Sequence, residues 1–274
     1  MEAGFRVDSL DWNIAGNTSG TNPNILSELQ WKDLNTFQLK GGIKVHILRS
    51  VYVRGGLKGG WIYSGDVQDS DYLGNNRTLE ISRSNNSADS GTLWDASAGI
   101  GFSRAVNLPG VRIEVAPLVG YSRHRQNLTL TDGFQTIPPS GSFSGLDSTY
   151  KATWKGPWFG TDVALEFDGL TINGAFEYHI ADYDGEADWN LRSDFQHPKS
   201  FEHTADGSGV LVSASASYAI GSGWSAVAGL EYMDFQTDPG LDRTFFTDGT
   251  TLDTQLNEVN WDSFSVTLGL LYTF

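Results

Sequence analysis

The sequence predicts an all-β fold: a membrane-spanning, antiparallel, up-and-down β-barrel of about ten strands, forming a single domain over residues 1–274. Three observations predict it. Large apolar residues recur at every second position in one segment after another. Short turns alternate with long polar connections. Aromatic residues gather toward the ends of the alternating segments.

The alternation is read in chain order. Phe37, Leu39, Ile43, Val45 and Ile47 alternate with Gln38, Lys40, Lys44 and His46. Val51, Val53, Leu57, Trp61 and Tyr63 alternate with Arg54 and Lys58, and Val111, Ile113, Val115, Val119 and Tyr121 with Arg112 and Glu114. Leu170, Ile172, Phe176, Tyr178 and Ile180 alternate with Asn173, Glu177 and His179, and Val210 to Ile220 with Ser213, Ser215 and Ser217. The last segment is the clearest: Phe264, Val266, Leu268, Leu270, Tyr272 and Phe274 occupy every even position, with Leu271 the only apolar residue between them. Period two is the signature of a strand with two unlike faces. An apolar face backed by a charged one describes a lipid-facing wall around a polar lumen, whereas a soluble sandwich turns its apolar face inward.

Tight turns are expected near Leu48-Arg49-Ser50, Asn107-Leu108-Pro109-Gly110, Asp168-Gly169 and Gly221-Ser222-Gly223, and the last three carry turn-forming residues. Long polar loops are expected near 15–24, 72–92, 127–148, 190–207 and 236–257. Four turns and five loops separate ten strands, an even number, with both chain ends on the periplasmic side. Trp12, Trp31, Trp61, Tyr63, Trp94, Trp154, Trp158, Trp224, Tyr232 and Trp261 lie toward strand ends, so they are expected to form girdles at the two headgroup levels.

Composition agrees with this reading. Mean hydropathy is −0.28, and no apolar run approaches the ~18 residues of a spanning helix; strands that are apolar at alternate positions average toward neutral. With no cysteine, disulfides and thiolate chemistry are excluded. The start Met1-Glu2-Ala3-Gly4 lacks the basic and apolar stretches of a signal peptide, and the strand pattern favours a mature outer-membrane form carrying an added Met. A net charge of −15 argues against nucleic acid as a partner.

Ten strands enclose a narrow lumen, since open channels come with about sixteen. Lys40, Lys44, Arg54, Lys58, Asp95, Arg112, Glu114, Asp162, Glu166, Glu177, His179 and Glu231 are expected to pair there and plug it. Chemistry is expected at two acidic clusters at outer strand ends, Asp66 to Asp71 and Asp182 to Asn190. Asp69 and Asp71, two residues apart, share a strand face, so they suit general-base work on a water, or a cation such as calcium. The bland reading of such a pair is a solvated loop.

Several stretches, in order, resemble the omptins, ten-strand outer-membrane proteases of Gram-negative bacteria: Ser27-Glu28-Leu29-Gln30-Trp31-Lys32, Leu39-Lys40-Gly41, Asp69-Ser70-Asp71, Gly120-Tyr121, Tyr150-Lys151 with Pro157, and Leu271-Tyr272-Thr273-Phe274. The resemblance implies that Asp69 and Asp71 face an Asp–His pair whose aspartate is Asp188. Where the family has its histidine, this chain has Asn190, which cannot take a proton near neutral pH. A second family histidine follows a Ser-Arg; here Ser84 follows Ser82-Arg83. His197 and His203 are candidate substitutes on the fourth loop.

The resemblance further implies a lipopolysaccharide site at Tyr121, Arg123 and Arg125, with an interfacial cationic rim as the alternative. It also implies recognition by the outer-membrane assembly machinery through the strand ending at Phe274. A monomer without cofactor or dedicated metal is expected. Three functions follow: a non-proteolytic barrel whose acidic loops bind a partner, an endopeptidase for basic peptides with a rearranged site, and a narrow channel for small solutes.

Overall fold

The computed structural model describes residues 1–48 and 50–273. Fourteen strands form one sheet among them: β1 (Glu2–Ile14), β2 (Ser27–Leu48), β3 (Val51–Gly74), β4 (Thr78–Ser87), β5 (Gly91–Phe102), β6 (Arg104–Leu108), β7 (Val111–Ile137), β8 (Gly141–Ser142), β9 (Asp147–Glu166), β10 (Leu170–Asp188), β11 (Phe201–Gly221), β12 (Trp224–Thr237), β13 (Gly240–Phe245) and β14 (Thr251–Tyr272). All pairings are antiparallel, and β1 pairs with β14, which closes the sheet into a ring. β4 and β5 lie end to end between β3 and β7, β6 continues the line of β5 along β7 alone, β12 and β13 lie end to end beside β14, and β8 is a short addition to β7. The wall therefore has ten staves. Closure pairs the ten staves with a neighbour on both sides among the described residues, as hydrocarbon requires, and only the short β6 and β8 pair on one side alone.

The expected turns fall between β6 and β7, β9 and β10, and β11 and β12. Gly110, Gly169 and Gly223 there have positive φ, which only glycine adopts without strain. Of the turn expected at Leu48-Arg49-Ser50, Arg49 lies outside the described residues, as does the terminal Phe274.

The alternation translates directly into faces. Phe5, Leu57, Val119, Phe176, Leu230 and Leu268 all point away from the lumen and are exposed. The lumen carries the predicted charges as a paired ladder. Arg54 bonds Glu177 at 2.7 Å and lies 3.5 Å from Asp162, which also accepts from Tyr52 and sits 3.7 Å from Lys44. Lys58 pairs with Glu231, Lys40 with Glu2, Arg112 with Glu114 and Glu166, and His179 with Glu177. Asp95 is held by His124 at 2.9 Å and by Arg6 at 2.6 Å, and Arg6 also bonds Asp8. Such ions tolerate burial only because each has a partner.

Two expectations need correction. Trp12, Trp31, Trp154, Trp158 and Trp261 are buried inside the barrel, not in a girdle. Their register explains it. Leu10, which is fully buried, stands opposite Trp31 and Trp261, and Trp12 stands opposite buried Leu29. Trp12, Trp31, Trp154 and Trp261, with Tyr150, Tyr183, Phe201 and Phe235, fill the outer half of the lumen with an aromatic core, and Trp158 packs in a separate cluster with Tyr52, Ala116 and Leu118. Trp61, Tyr63, Trp224 and Tyr232 remain exposed at the wall. Secondly, much of the expected long loops is strand: β3 continues to Gly74 and turns at once into β4, and β7 reaches Ile137. Beyond the bilayer a strand has no lipid-facing side, so the apolar alternation that marked it in the sequence fades.

Candidate functional site

The aromatic core forms the floor of a cleft at the outer mouth. Asp69 stands across from Leu29 and Asp71 across from Ser27 on the face that carries Val67 and Trp31, so both carboxylates point toward the barrel axis. Trp31 stacks on Tyr150 of β9 across the lumen, with ring centroids 5.2 Å apart. Ser84 and Ser82 flank the two aspartates on β4.

Both carboxylates are half-buried, and they titrate together. Burial pushes Asp69 well above the ordinary carboxylate range, the neighbouring Asp71 charge pushes it further, and Arg192 offsets part of this. Burial likewise raises Asp71, against a hydrogen bond with Ser27 and the charge of Arg192. Two carboxylates this close share a proton, and their titration belongs to the pair.

Arg192 was not singled out by its sequence context. It lies in the segment between β10 and β11 and makes a two-pronged bond to Asp194, Nε to Oδ1 at 2.9 Å and Nη2 to Oδ2 at 2.8 Å. Its guanidinium lies 3.8 Å from the Phe195 ring centroid, and Phe195 packs edge-on against Phe246. Asp194, Asp71 and Asp69 together hold the Arg192 charge firmly in place.

Asp188 takes the other side of the wall. Along β10, Tyr183 and Ala187 point into the core, so Asp188 leaves the strand on the opposite face, beside Thr149 in register. His197 Nδ1 lies 2.6 Å from Asp188 Oδ1. A carboxylate only accepts, so the imidazole donates from Nδ1. Asn190 is structural: its Oδ1 accepts from the Asp147 amide and the Ser148 hydroxyl at 3.0 Å each, and its Nδ2 donates to the Gly145 carbonyl at 2.7 Å.

The other histidines are occupied elsewhere. His203 is fully buried in the core, bonded through Nδ1 to the Tyr150 hydroxyl at 2.8 Å and 3.2 Å from Asp242. His46, His124 and His179 belong to the lumen ladder. The structure thus brings Asp69 and Asp71 together with Arg192, and joins Asp188 to His197 separately. Among the described residues, no group of three or more acidic or histidine side chains is arranged to hold a metal ion.

On the outward face, Tyr121 is exposed and Arg123 lies over the Trp94 ring at 5.5 Å. Lys155 stands beside Arg123 in register, bonded to Asp184, and Arg125 bonds Asn127. Tyr121, Arg123 and Arg125 therefore share one outward row, which alternation along β7 had made legible.

The structure is similar to the outer membrane protease OmpT of Escherichia coli, with a TM-score of 0.76 and 16% sequence identity, covering 100% of this chain and 96% of that one. The translocator domain of the autotransporter NalP of Neisseria meningitidis matches with a TM-score of 0.39 and 14% identity, covering 100% of this chain and 87% of that one, and is too distant to bear on the fold. No curated protein matches the chain by sequence. The family model for Pom, Protochlamydia outer membrane protein, matches residues 1–274. The chain belongs to this family, and it is an outer-membrane barrel with an omptin-like fold.

Proposed function

We propose that the barrel is a non-proteolytic surface receptor whose cleft binds cationic, guanidinium-bearing peptides at Asp69 and Asp71. The observation that carries this reading is the pair of half-buried carboxylates, Asp69 and Asp71, turned into the cleft above the aromatic floor. The nearby guanidinium of Arg192 lowers both carboxyls through its charge. Its ion-pair partner is Asp194 on its own loop, so Asp69 and Asp71 stay open to an incoming cationic side chain. An omptin-type hydrolysis would need an Asp–His pair facing this one across the cleft. Asp188 and His197 form such a couple, but the alternation of β10 puts Asp188 on the strand face opposite to Tyr183 and Ala187, which point into the core.

The aromatic floor and the paired lumen favour binding over conduction. The outward row of Tyr121, Arg123 and Arg125, with Lys155, offers forked and point-like cations to lipopolysaccharide phosphates. The closed ring supports a monomer, and the apolar alternation of β14 supports recognition of the C-terminal strand by the assembly machinery.

The test is to incubate the refolded barrel with a quenched peptide carrying paired arginines, with and without lipopolysaccharide. Binding without cleavage is expected. Cleavage that disappears in His197→Ala would replace this reading with a rearranged endopeptidase.

A further inference from the structure

The outward face of β2, β3 and β4, with β7 beyond, carries a groove of about 430 Å3, beside the cleft and on the opposite strand face from Asp69 and Asp71. It falls within the roughly 300–1,000 Å3 of small-molecule sites. Its lining is polar: Gln30, Gln68 and Asn85 present amides, Asp66 and Asp132 carboxylates, and Lys32 an ammonium. Register makes the lining a row, because Gln30 stands across from Gln68, and Gln68 from Asn85. Phe134 continues that row beside Asn85 and is 48% exposed.

Two backbone irregularities shape the groove. The β2–β3 register shifts after Lys32, where Asp33 has φ 52°. The β4–β7 register shifts between Asn85 and Ser87, opposite Asp132, which also has φ 52°. Non-glycine residues rarely adopt this left-handed conformation, and bulges of this kind re-aim side chains beside sites. Of the polar groups in the row, the Gln68 amide donates to Ser70 at 3.2 Å and the Asn85 amide to Thr136 at 3.4 Å, which leaves their carbonyl oxygens open. Lys32 and Asp66 stand opposite each other, yet neither forms an ion pair among the described residues, and the Gln30 amide and Asp132 carboxylate are likewise unpartnered.

The geometry points to a saccharide site that takes uncharged hexose or N-acetylhexosamine units. Amides and carboxylates arrayed along a row match vicinal hydroxyls, which both donate and accept, and acetamido groups. The exposed Phe134 ring offers an apolar plane for the CH face of a sugar. Other ligand classes fit less well. Two carboxylates disfavour an anion, Lys32 disfavours a cation, and the area is small for a protein interface. Height above the bilayer is also suitable. Trp61 and Tyr63 mark the headgroup level on β3, and Asp66 and Gln68 follow roughly 10–17 Å farther along the strand at about 3.3–3.4 Å per residue. A free oligosaccharide and a glycolipid headgroup share this chemistry.

The experiment uses the whole barrel in a detergent without a sugar headgroup. Maltotriose and triacetylchitotriose are titrated against it by calorimetry and saturation-transfer NMR. A parallel arm places the barrel in nanodiscs with and without digalactosyl diacylglycerol. Saturable binding is expected in at least one arm; binding in the glycolipid arm alone assigns the headgroup as the source. The Gln68→Ala/Asn85→Ala pair, and separately Phe134→Ala, should each weaken it by about tenfold or more, with heat-modifiable gel mobility confirming that the variants are folded. Absence of binding in both arms, or binding unchanged in both folded variants, overturns the assignment.

Discussion

His197 Nδ1 sits 2.6 Å from Asp188 Oδ1, and alternation along β10 sets Asp188 on the face opposite to the core residues Tyr183 and Ala187. An Asp–His couple is therefore present, on the strand face opposite in parity to the one Asp69 and Asp71 take on β3. If placement rather than identity is what separates this chain from a protease, restoring the family residue should not restore activity. Asn190→His is expected to leave paired-arginine peptides intact by mass spectrometry. It should also loosen the loop, since three hydrogen bonds worth about 0.5–1.5 kcal/mol each are lost. Limited proteolysis of the segment between β10 and β11 measures the second effect.

On the proposed reading, the Arg192 charge opposes the entry of cationic ligands at Asp69 and Asp71. Arg192→Ala is expected to tighten binding of an arginine-rich peptide by about tenfold or more, which corresponds to ~1.4 kcal/mol. Fluorescence anisotropy at fixed ionic strength reads the change. Because the attraction is between charges near solvent, it should weaken as salt is raised.

The raised Asp69 carboxyl makes stability depend on pH. A carboxylate whose folded-state pKa lies above its unfolded value near ~3.9 binds its proton more tightly in the folded state. The folded protein therefore loses stability as pH rises through the interval between those two values. Asp69→Asn removes that loss. The variant should melt above the wild type at neutral and alkaline pH, and the difference should close as pH falls toward ~4. Thermal melts in one detergent at a series of pH values test the sign.

Breaking the lumen ladder should cost more than any change at the surface. Arg6 is buried and holds both Asp8 and Asp95. Arg6→Met would strand the buried Asp8 carboxylate and leave Asp95 with His124 alone, with an expected loss of about 3–5 kcal/mol, read by urea unfolding in lipid. The intact wild type should show no conductance in planar bilayers, because the ladder and the aromatic core fill its axis.

The outward cationic row predicts a lipid phenotype. Arg123→Glu with Lys155→Glu should reduce co-purifying lipopolysaccharide without altering heat-modifiable mobility.

Much of this architecture was legible in the sequence. Alternation in the membrane segments identified both faces, and the twelve charges assigned to the lumen face it and pair there; eleven of them follow an outward apolar or aromatic neighbour, and Asp162 follows Thr161. Asp69 and Asp71 were legible as a shared-face pair from their spacing alone. The facing of Asp188 was not, because beyond the bilayer both faces of β10 carry polar residues and parity must be counted from Tyr183 and Ala187. Five tryptophans were misplaced for a related reason: position near a strand end gives height, and only register with Leu10 and Leu29 gives side. Arg192 gave no signal, since its role depends on how an irregular segment folds back over β3.

The most direct test of the central claim is a titration of labelled diarginine peptide against the wild-type barrel and the Asp69→Asn/Asp71→Asn double variant. The account predicts saturable, salt-sensitive binding of intact peptide by the wild type, lost in the folded double variant. Equal binding by both proteins, or cleavage of the peptide by the wild type, would contradict it.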